Sequence, residues 1–322
     1  MRNKYHPVVL SVIFIIILYA IGPRVDIDYT IQPIEVTVSA EQYIHTSEAK
    51  FSDIRPGTEK HIVWADPETK NSTEYSIVYL HGFSASRQEI APLCDILASK
   101  LSANLFYSRL TGHGRTESAM NKATVNALLN DAVESLLIGK KIGHKVIVIG
   151  TSTGATLATW LAAQKDNNDI AALILLSPNY GLKRQESELL LYPWGKSLLN
   201  IIEGDEYSFT PVNDLQKQYW TTRYPSEALL NMMGIIEVTR NANLQDIKIP
   251  TLTFYSDKDN IVSVEKIKTQ FRRLSSSNKR LVAINNSSDP QQHILAGDIL
   301  SPSTTNDLVT VIDEFLSPIV NH

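Results

Sequence analysis

Apolar residues along this chain gather into short continuous runs, and the stretches between them repeat apolar positions at three- and four-residue intervals. The runs at 146–149 and 170–176 are continuous, and those at 75–80, 103–107 and 249–255 are apolar apart from Ser76, Asn104, Pro250, Thr251 and Thr253, which predicts strands buried on both faces. Segments 87–101, 124–140, 264–274 and 304–316 have helical spacing, and 61–64 and 280–284 add two short strand candidates. Strand and helix alternate, so the expected fold class is α/β, with a mostly parallel central sheet and helices on both faces. The rhythm lapses from Gly181 to about Asn243, where Leu, Tyr and Trp crowd between Pro193, Pro211 and Pro225. That stretch reads as a mostly helical insertion, a lid laid over the carboxyl edge of the sheet.

The N-terminus follows another pattern. Residues 8–21 are apolar at nearly every position, behind Arg2 and Lys4 and ahead of Asp26 and Asp28. The run is too hydrophobic for a surface helix and predicts a signal peptide or a membrane anchor, although it falls short of the roughly 20 residues of a comfortable span. Pro23 stands directly behind the small-residue pattern Ala20-Ile21-Gly22 and is a poor neighbour for a cleavage site. An uncleaved signal anchor is therefore favoured over a cleaved signal. The charge asymmetry places the folded domain outside the cytoplasm; cleavage would make it secreted or periplasmic. The chain then divides into an anchor (1–25), a juxtamembrane spacer (26–60) with an edge strand near 34–38, a core in two parts (61–180 and 246–318), and the lid (181–245).

Composition narrows the chemistry. At 322 residues, 43% hydrophobic and 20% charged, the chain can bury a sizeable core. Its formal net charge of -4 offers no basic footprint, so nucleic acid is not an expected partner. The single cysteine, Cys94, excludes an intrachain disulfide and a cysteine-rich metal site, and its helix-like surroundings make it a buried thiol.

The candidate chemistry centres on Gly150-Thr151-Ser152-Thr153-Gly154, which joins a continuous apolar run to a helical segment. A G-x-S-x-G turn between strand and helix is a nucleophile elbow that pushes the serine hydroxyl into the open. A serine needs a base, and the base an orienting carboxylate. The acid is expected in the loop after a late strand, where Asp257 and Asp259 compete. Asp259, deeper in the loop, is preferred, and Asp257 would tie the loop's own amides. Past residue 284 the histidines are His293 and the terminal His322, and His293 follows the last strand as a base should. Two N–H donors are needed for an oxyanion. Thr153 follows the nucleophile, and Phe83 stands in His81-Gly82-Phe83-Ser84 after the 75–80 strand. His81 is expected to hydrogen-bond within its loop.

Taken together, the His81–Ser84 motif, Leu110-Thr111-Gly112-His113-Gly114, the Ser152 elbow, Asp259 and His293 resemble the α/β-hydrolase superfamily. The resemblance is closest to its serine hydrolases of the monoacylglycerol lipase and serine aminopeptidase-like group. It spans roughly residues 61–316 and implies the α/β-hydrolase fold, with His113 shaping the site without taking part in the chemistry. Thr151 and Thr153 replace bulkier residues frequent in lipases, which leaves acyl-chain preference open. The expected activity is hydrolysis of a carboxylic ester through an acyl-enzyme on Ser152, without metal or organic cofactor. The apolar lid residues suit a lipid-like acyl ester. The alternatives are an aminopeptidase-like hydrolase, in which Glu186, Glu188, Glu203, Asp205 or Glu206 would grip a peptide terminus, and a membrane-anchored binding protein without catalysis.

Overall fold

In a computed structural model the described residues are 6–25, 27–165 and 168–320. In chain order the elements are α1 (His6–Ala20), α2 (Ala40–Glu48), β1 (His61–Val63), β2 (Thr73–Leu80), α3 (Leu93–Lys100), β3 (Asn104–Tyr107), α4 (Val125–Ile142), β4 (Gly143–Thr151), α5 (Thr153–Ala162) and β5 (Ile170–Leu176). They continue with α6 (Gly195–Ile202), β6 (Glu206–Ser208), α7 (Asp214–Tyr219), β7 (Arg223–Pro225), α8 (Ala228–Asn241), β8 (Thr251–Tyr255), α9 (Val264–Arg273), β9 (Lys279–Ala283) and α10 (Pro302–Val320).

Among the described residues the central sheet has seven strands in the order β1-β3-β2-β4-β5-β8-β9. Only its edge pair, β1 with β3, is antiparallel. The continuous apolar runs have the expected cause. Val78 and Leu80 of β2, with Val146 and Val148 of β4, pack toward α4 and α5. The alternate residues Ile77, Tyr79, Ile147 and Ile149 pack toward α3 and α10. Burying such a side chain contributes about 1.5–3 kcal/mol, so both faces of β4 hold the strand whose end carries Ser152. The parallel strands end at one edge, where open α/β sheets bind ligands.

Two expectations from the pattern change in detail. The helix read over 87–101 is a short helical turn at Arg87–Glu89 followed by α3. Pro92 separates the two because it has no N–H to give the ladder. The stretch read as a spacer contains no strand at 34–38; it holds α2, whose N-cap Ser39 accepts from Gln42 N–H. Glu48 of α2 makes a two-pronged ion pair with Arg109 (2.7 and 2.9 Å). That pair anchors the segment against the core, so it is packed structure.

The N-terminal run forms α1, exposed from Val8 onward. At 15 residues it reaches about 22 Å, against about 30 Å of hydrocarbon. Among the described residues no helix is long and apolar enough to cross a membrane, so the expectation of a spanning signal anchor draws no support from the structure. Arg2, Lys4 and Asp26, on which its orientation was read, lie outside the described residues. The indole N–H of Trp194 donates to Leu18 O at 3.0 Å, which attaches α1 to the insertion.

Residues 181–245 interrupt the α/β alternation between β5 and β8. They contain α6, α7 and α8 as expected, and in addition the two-stranded antiparallel ribbon β6–β7. The insertion is rooted beside the site: Lys183 N–H donates to Ile261 O (2.9 Å) and Ser263 N–H to Gly181 O (2.8 Å).

Candidate active site

Ser152 stands between β4 and α5 with φ 53° and ψ −116°, a conformation that costs a non-glycine residue about 1–3 kcal/mol. Its surroundings enforce it. Ser152 N–H donates to Leu176 O (2.9 Å), and Ser152 O accepts from Thr156 N–H (3.0 Å) and Asn179 N–H (3.1 Å). Gly154 has to be glycine, because a Cβ there would lie 2.0 Å from Leu80 O. That close approach lets the start of α5 settle against the end of β2. Thr153 opens α5, where backbone N–H groups have no carbonyl one turn back.

The late-strand loops place the two other expected residues together. His293 Nδ1 lies 2.8 Å from Asp259 Oδ2. The other oxygen of Asp259 accepts the N–H groups of Ile261 (2.7 Å) and Val262 (2.9 Å), which orients the carboxylate inward. Asp257 lies at the surface, paired with Lys268 at 3.0 Å and bound by Asn285. Burial alone would lower the His293 pKa. The charge and hydrogen bond of Asp259, then the charges of Asp289 and Glu89, outweigh burial and raise it above the ordinary value. With Asp259 holding Nδ1–H, the other ring nitrogen is free to take a proton.

Three neighbours were not visible to sequence reading. Asp289 accepts the N–H groups of Gln291 (3.0 Å), His293 (3.0 Å) and Ile294 (2.8 Å), so one carboxylate folds the loop that presents the histidine. Its only signal was an Asp-Pro turn. Ser177, at the end of β5, donates its hydroxyl to His293 O at 2.6 Å. Two residues on, Asn179 N–H meets Ser152 O, so one short segment touches both the serine and the histidine loop. Glu89, also missed, is buried and accepts the N–H of Gly82.

The loop after β2 lies over the serine: a Cβ on Gly82 would be 3.4 Å from Ser152 Cβ. His81 donates from Nδ1 to Gly82 O (2.9 Å), and its Nε2 accepts Leu110 N–H (3.0 Å), which assigns a neutral ring. Burial and His113 drive its pKa well down, in keeping with that state. His113 is pushed to about 4, chiefly by burial, and stacks edge-on against His81 and Phe83. The Phe83 ring also meets Tyr224 of the insertion edge-on at 5.7 Å. It stands between two apolar clusters, one with Leu230, Met233 and Ile236, the other with Met120 and Tyr224.

The comparisons with known proteins bear on this geometry. A family model described as serine aminopeptidase, S33, matches residues 71–288. The chain belongs to that family. A thermostable monoacylglycerol lipase of Bacillus sp. (strain H-257) is 24% identical over 225 residues, covering 69% of this chain and 86% of the lipase. Among solved structures, one described for LipS and LipT, two metagenome-derived lipolytic enzymes, has a TM-score of 0.67 at 19% identity and covers 84% of this chain and 100% of its own. The monoacylglycerol lipase of Paleococcus ferrophilus has a TM-score of 0.60 at 15% identity, with 81% of this chain and 98% of that one covered. These structures share the α/β-hydrolase fold. The chain is thus a hydrolase of the lipase- and esterase-like serine hydrolase group.

Proposed function

We propose that the protein hydrolyses a carboxylic ester through an acyl-enzyme on Ser152. The observation that carries this reading is the buried 2.8 Å bond from His293 to Asp259, in a loop linked to the strained Ser152 elbow through the segment Ser177 to Asn179. His293 takes the Ser152 proton as Oγ attacks the acyl carbonyl, and Asp259 steadies the imidazolium that forms. The N–H groups of Phe83 and Thr153 hold the oxyanion. The alcohol leaves with the proton from His293. Water, deprotonated in turn by His293, then releases the acid and restores Ser152.

A lipid-like acyl ester is the proposed substrate class. The Bacillus lipase supports it by likeness, and so does the apolar lining that Phe83, Met120, Tyr224 and Leu229 place next to the oxyanion loop. In this reading residues 181–245 act as a lid between a first (61–180) and a second (246–318) part of the core. The proposed location is outside the cytoplasm, secreted or periplasmic if the N-terminal segment is cleaved.

The family description favours one rival, an aminopeptidase. It needs an unpaired acid near the serine to grip an α-ammonium group. Glu188 is engaged by Arg240 and Lys266, and Glu206 by Arg223, which argues against both as that grip. A panel of p-nitrophenyl esters graded by chain length, run beside aminoacyl-anilides, separates the two. Ester turnover with little anilide cleavage is expected; anilide cleavage without ester turnover would replace this reading by the peptidase.

A further inference from the structure

Glu89 belongs to neither the proposed acid–base pair nor the proposed oxyanion donors, yet it is buried between them. It ends the helical turn Arg87–Glu89 and is 1% exposed. Its Oε1 accepts the N–H of Gly82 and, at 2.7 Å, the hydroxyl of Tyr79. Tyr79 Oη also lies 2.9 Å from the hydroxyl of Thr151, the residue before the nucleophile. A Cβ on Gly82 would meet Glu89 Oε2 at 3.0 Å on one side and Ser152 Cβ at 3.4 Å on the other. The histidine loop closes the arrangement, since Gly297 approaches so near that a Cβ there would lie 2.2 Å from Glu89 O.

The consequence follows from peptide geometry. Two consecutive peptide groups of the oxyanion loop are pinned. The first gives its N–H, on Gly82, to Glu89. The second has its C=O, on Gly82, held by His81 Nδ1–H (2.9 Å) and Ala85 N–H (3.2 Å). In a trans peptide the N–H points away from its C=O, so the Phe83 N–H faces opposite to those two donors. Without the first pin the His81–Gly82 peptide can turn about the permissive glycine angles, and only the two bonds to Gly82 O remain to hold the direction of Phe83 N–H.

We infer that Glu89 is a positioning residue: by binding Gly82 N–H it directs the neighbouring Phe83 N–H toward the developing oxyanion. The inference rests on the serine hydrolase reading above. The acceptor oxygen is what matters, since carboxylate, carboxylic acid and the amide of Gln all offer one to Gly82. Burial holds the Glu89 pKa at about 7, and either protonation state keeps that oxygen.

The test compares Glu89→Met, which removes the acceptor, with Glu89→Gln, which keeps it. The substrate is p-nitrophenyl butanoate and the transition-state mimic is butylboronic acid. For Glu89→Met the kcat falls roughly 10²-fold, on the scale of losing an oxyanion donor. Boronate affinity falls in parallel while KM stays within about twofold. Glu89→Gln stays within about fivefold of the parent on all three readouts. Unchanged kcat and boronate affinity in Glu89→Met would overturn the inference, as would a Glu89→Gln variant as impaired as Glu89→Met. If Glu89→Met does not fold, Glu89→Leu, which also removes the acceptor, decides by the same paired readout: kcat and boronate affinity must fall together, and both unchanged would overturn it. Ser152→Ala separates the two layers. An active Ser152→Ala removes the parent reading, whereas an inactive one beside an unimpaired Glu89→Met removes only this inference.

Discussion

The loops at the strand ends and the insertion between β5 and β8 touch one another, as where Phe83 meets Tyr224, but they are built in different ways. In the loops, carboxylates bind backbone: Asp259 accepts two N–H groups and the histidine, and Asp289 accepts three N–H groups. Each reacting group is held by several bonds to rigid elements. The insertion combines apolar packing with side-chain bonds spread along it, among them Arg55 to Trp220 O (2.8 Å) and Asn213 to Ile299 O (2.8 Å), and it leaves Leu189, Tyr192, Trp194, Ile201 and Ile202 open to solvent. Hydrogen bonds fix direction, whereas apolar contacts fix only proximity. Changes in the loops should therefore alter kcat, and changes in the insertion should alter which ester binds.

The largest effect expected is that of Ser152→Ala, a loss of about 10⁶ in kcat in a protein that remains folded. Next is Asp259→Asn, which keeps the shape but reverses a hydrogen bond and should cost about 10⁴ in kcat. Asp257→Asn, at a surface ion pair, should stay within about twofold. Steady-state kinetics on the two variants checks the assignment, and an inactive Asp257→Asn beside an active Asp259→Asn would reverse it.

On the insertion side, Phe83→Ala keeps the backbone donor and removes the ring that joins two apolar clusters. KM for long-chain esters should rise about tenfold, with kcat for an acetyl ester nearly unchanged. A uniform fall in kcat on all esters would place the ring on the loop side of the comparison. A third variant breaks neither region: Glu48→Ala leaves Arg109 buried without its partner and should cost about 3 kcal/mol of stability. The readout is a lower Tm with unchanged kcat in the folded protein.

The smallest effect concerns pH. His293 acts as a base only when neutral, and its pKa is raised. Activity should therefore fall as pH drops, with a midpoint above the ordinary histidine value of about 6.5. A midpoint below that value in the parent protein would contradict the pairing with Asp259.

What was legible in the sequence depends either on neighbours in the chain or on the order of motifs along it. The runs 146–149 and 170–176 announce strands because both faces are buried, and Ser152, Asp259 and His293 come in the order that the elbow implies. The α2 helix was missed because its sequence, AEQYIHTSE, is polar and buries little beyond Ala40 and Ile44. The β6–β7 ribbon has three residues per strand, too few to show alternation. Glu89 was invisible for a further reason. A glutamate behind Arg-Gln reads as surface, and only the folding of β2, the oxyanion loop and the histidine loop around it makes it buried. The N-terminal run showed its apolarity plainly, and its described part forms the 15-residue helix α1.

The central claim is that Ser152 is a nucleophile activated by His293 and oriented through Asp259. The most direct measurement is labelling of the folded protein with a fluorophosphonate, followed by peptide mapping, for the parent and for His293→Ala. The account predicts one adduct, on Ser152, formed rapidly in the parent and slowed by several orders of magnitude in the variant. A folded parent that takes up no label, or carries it on another serine, would contradict the account.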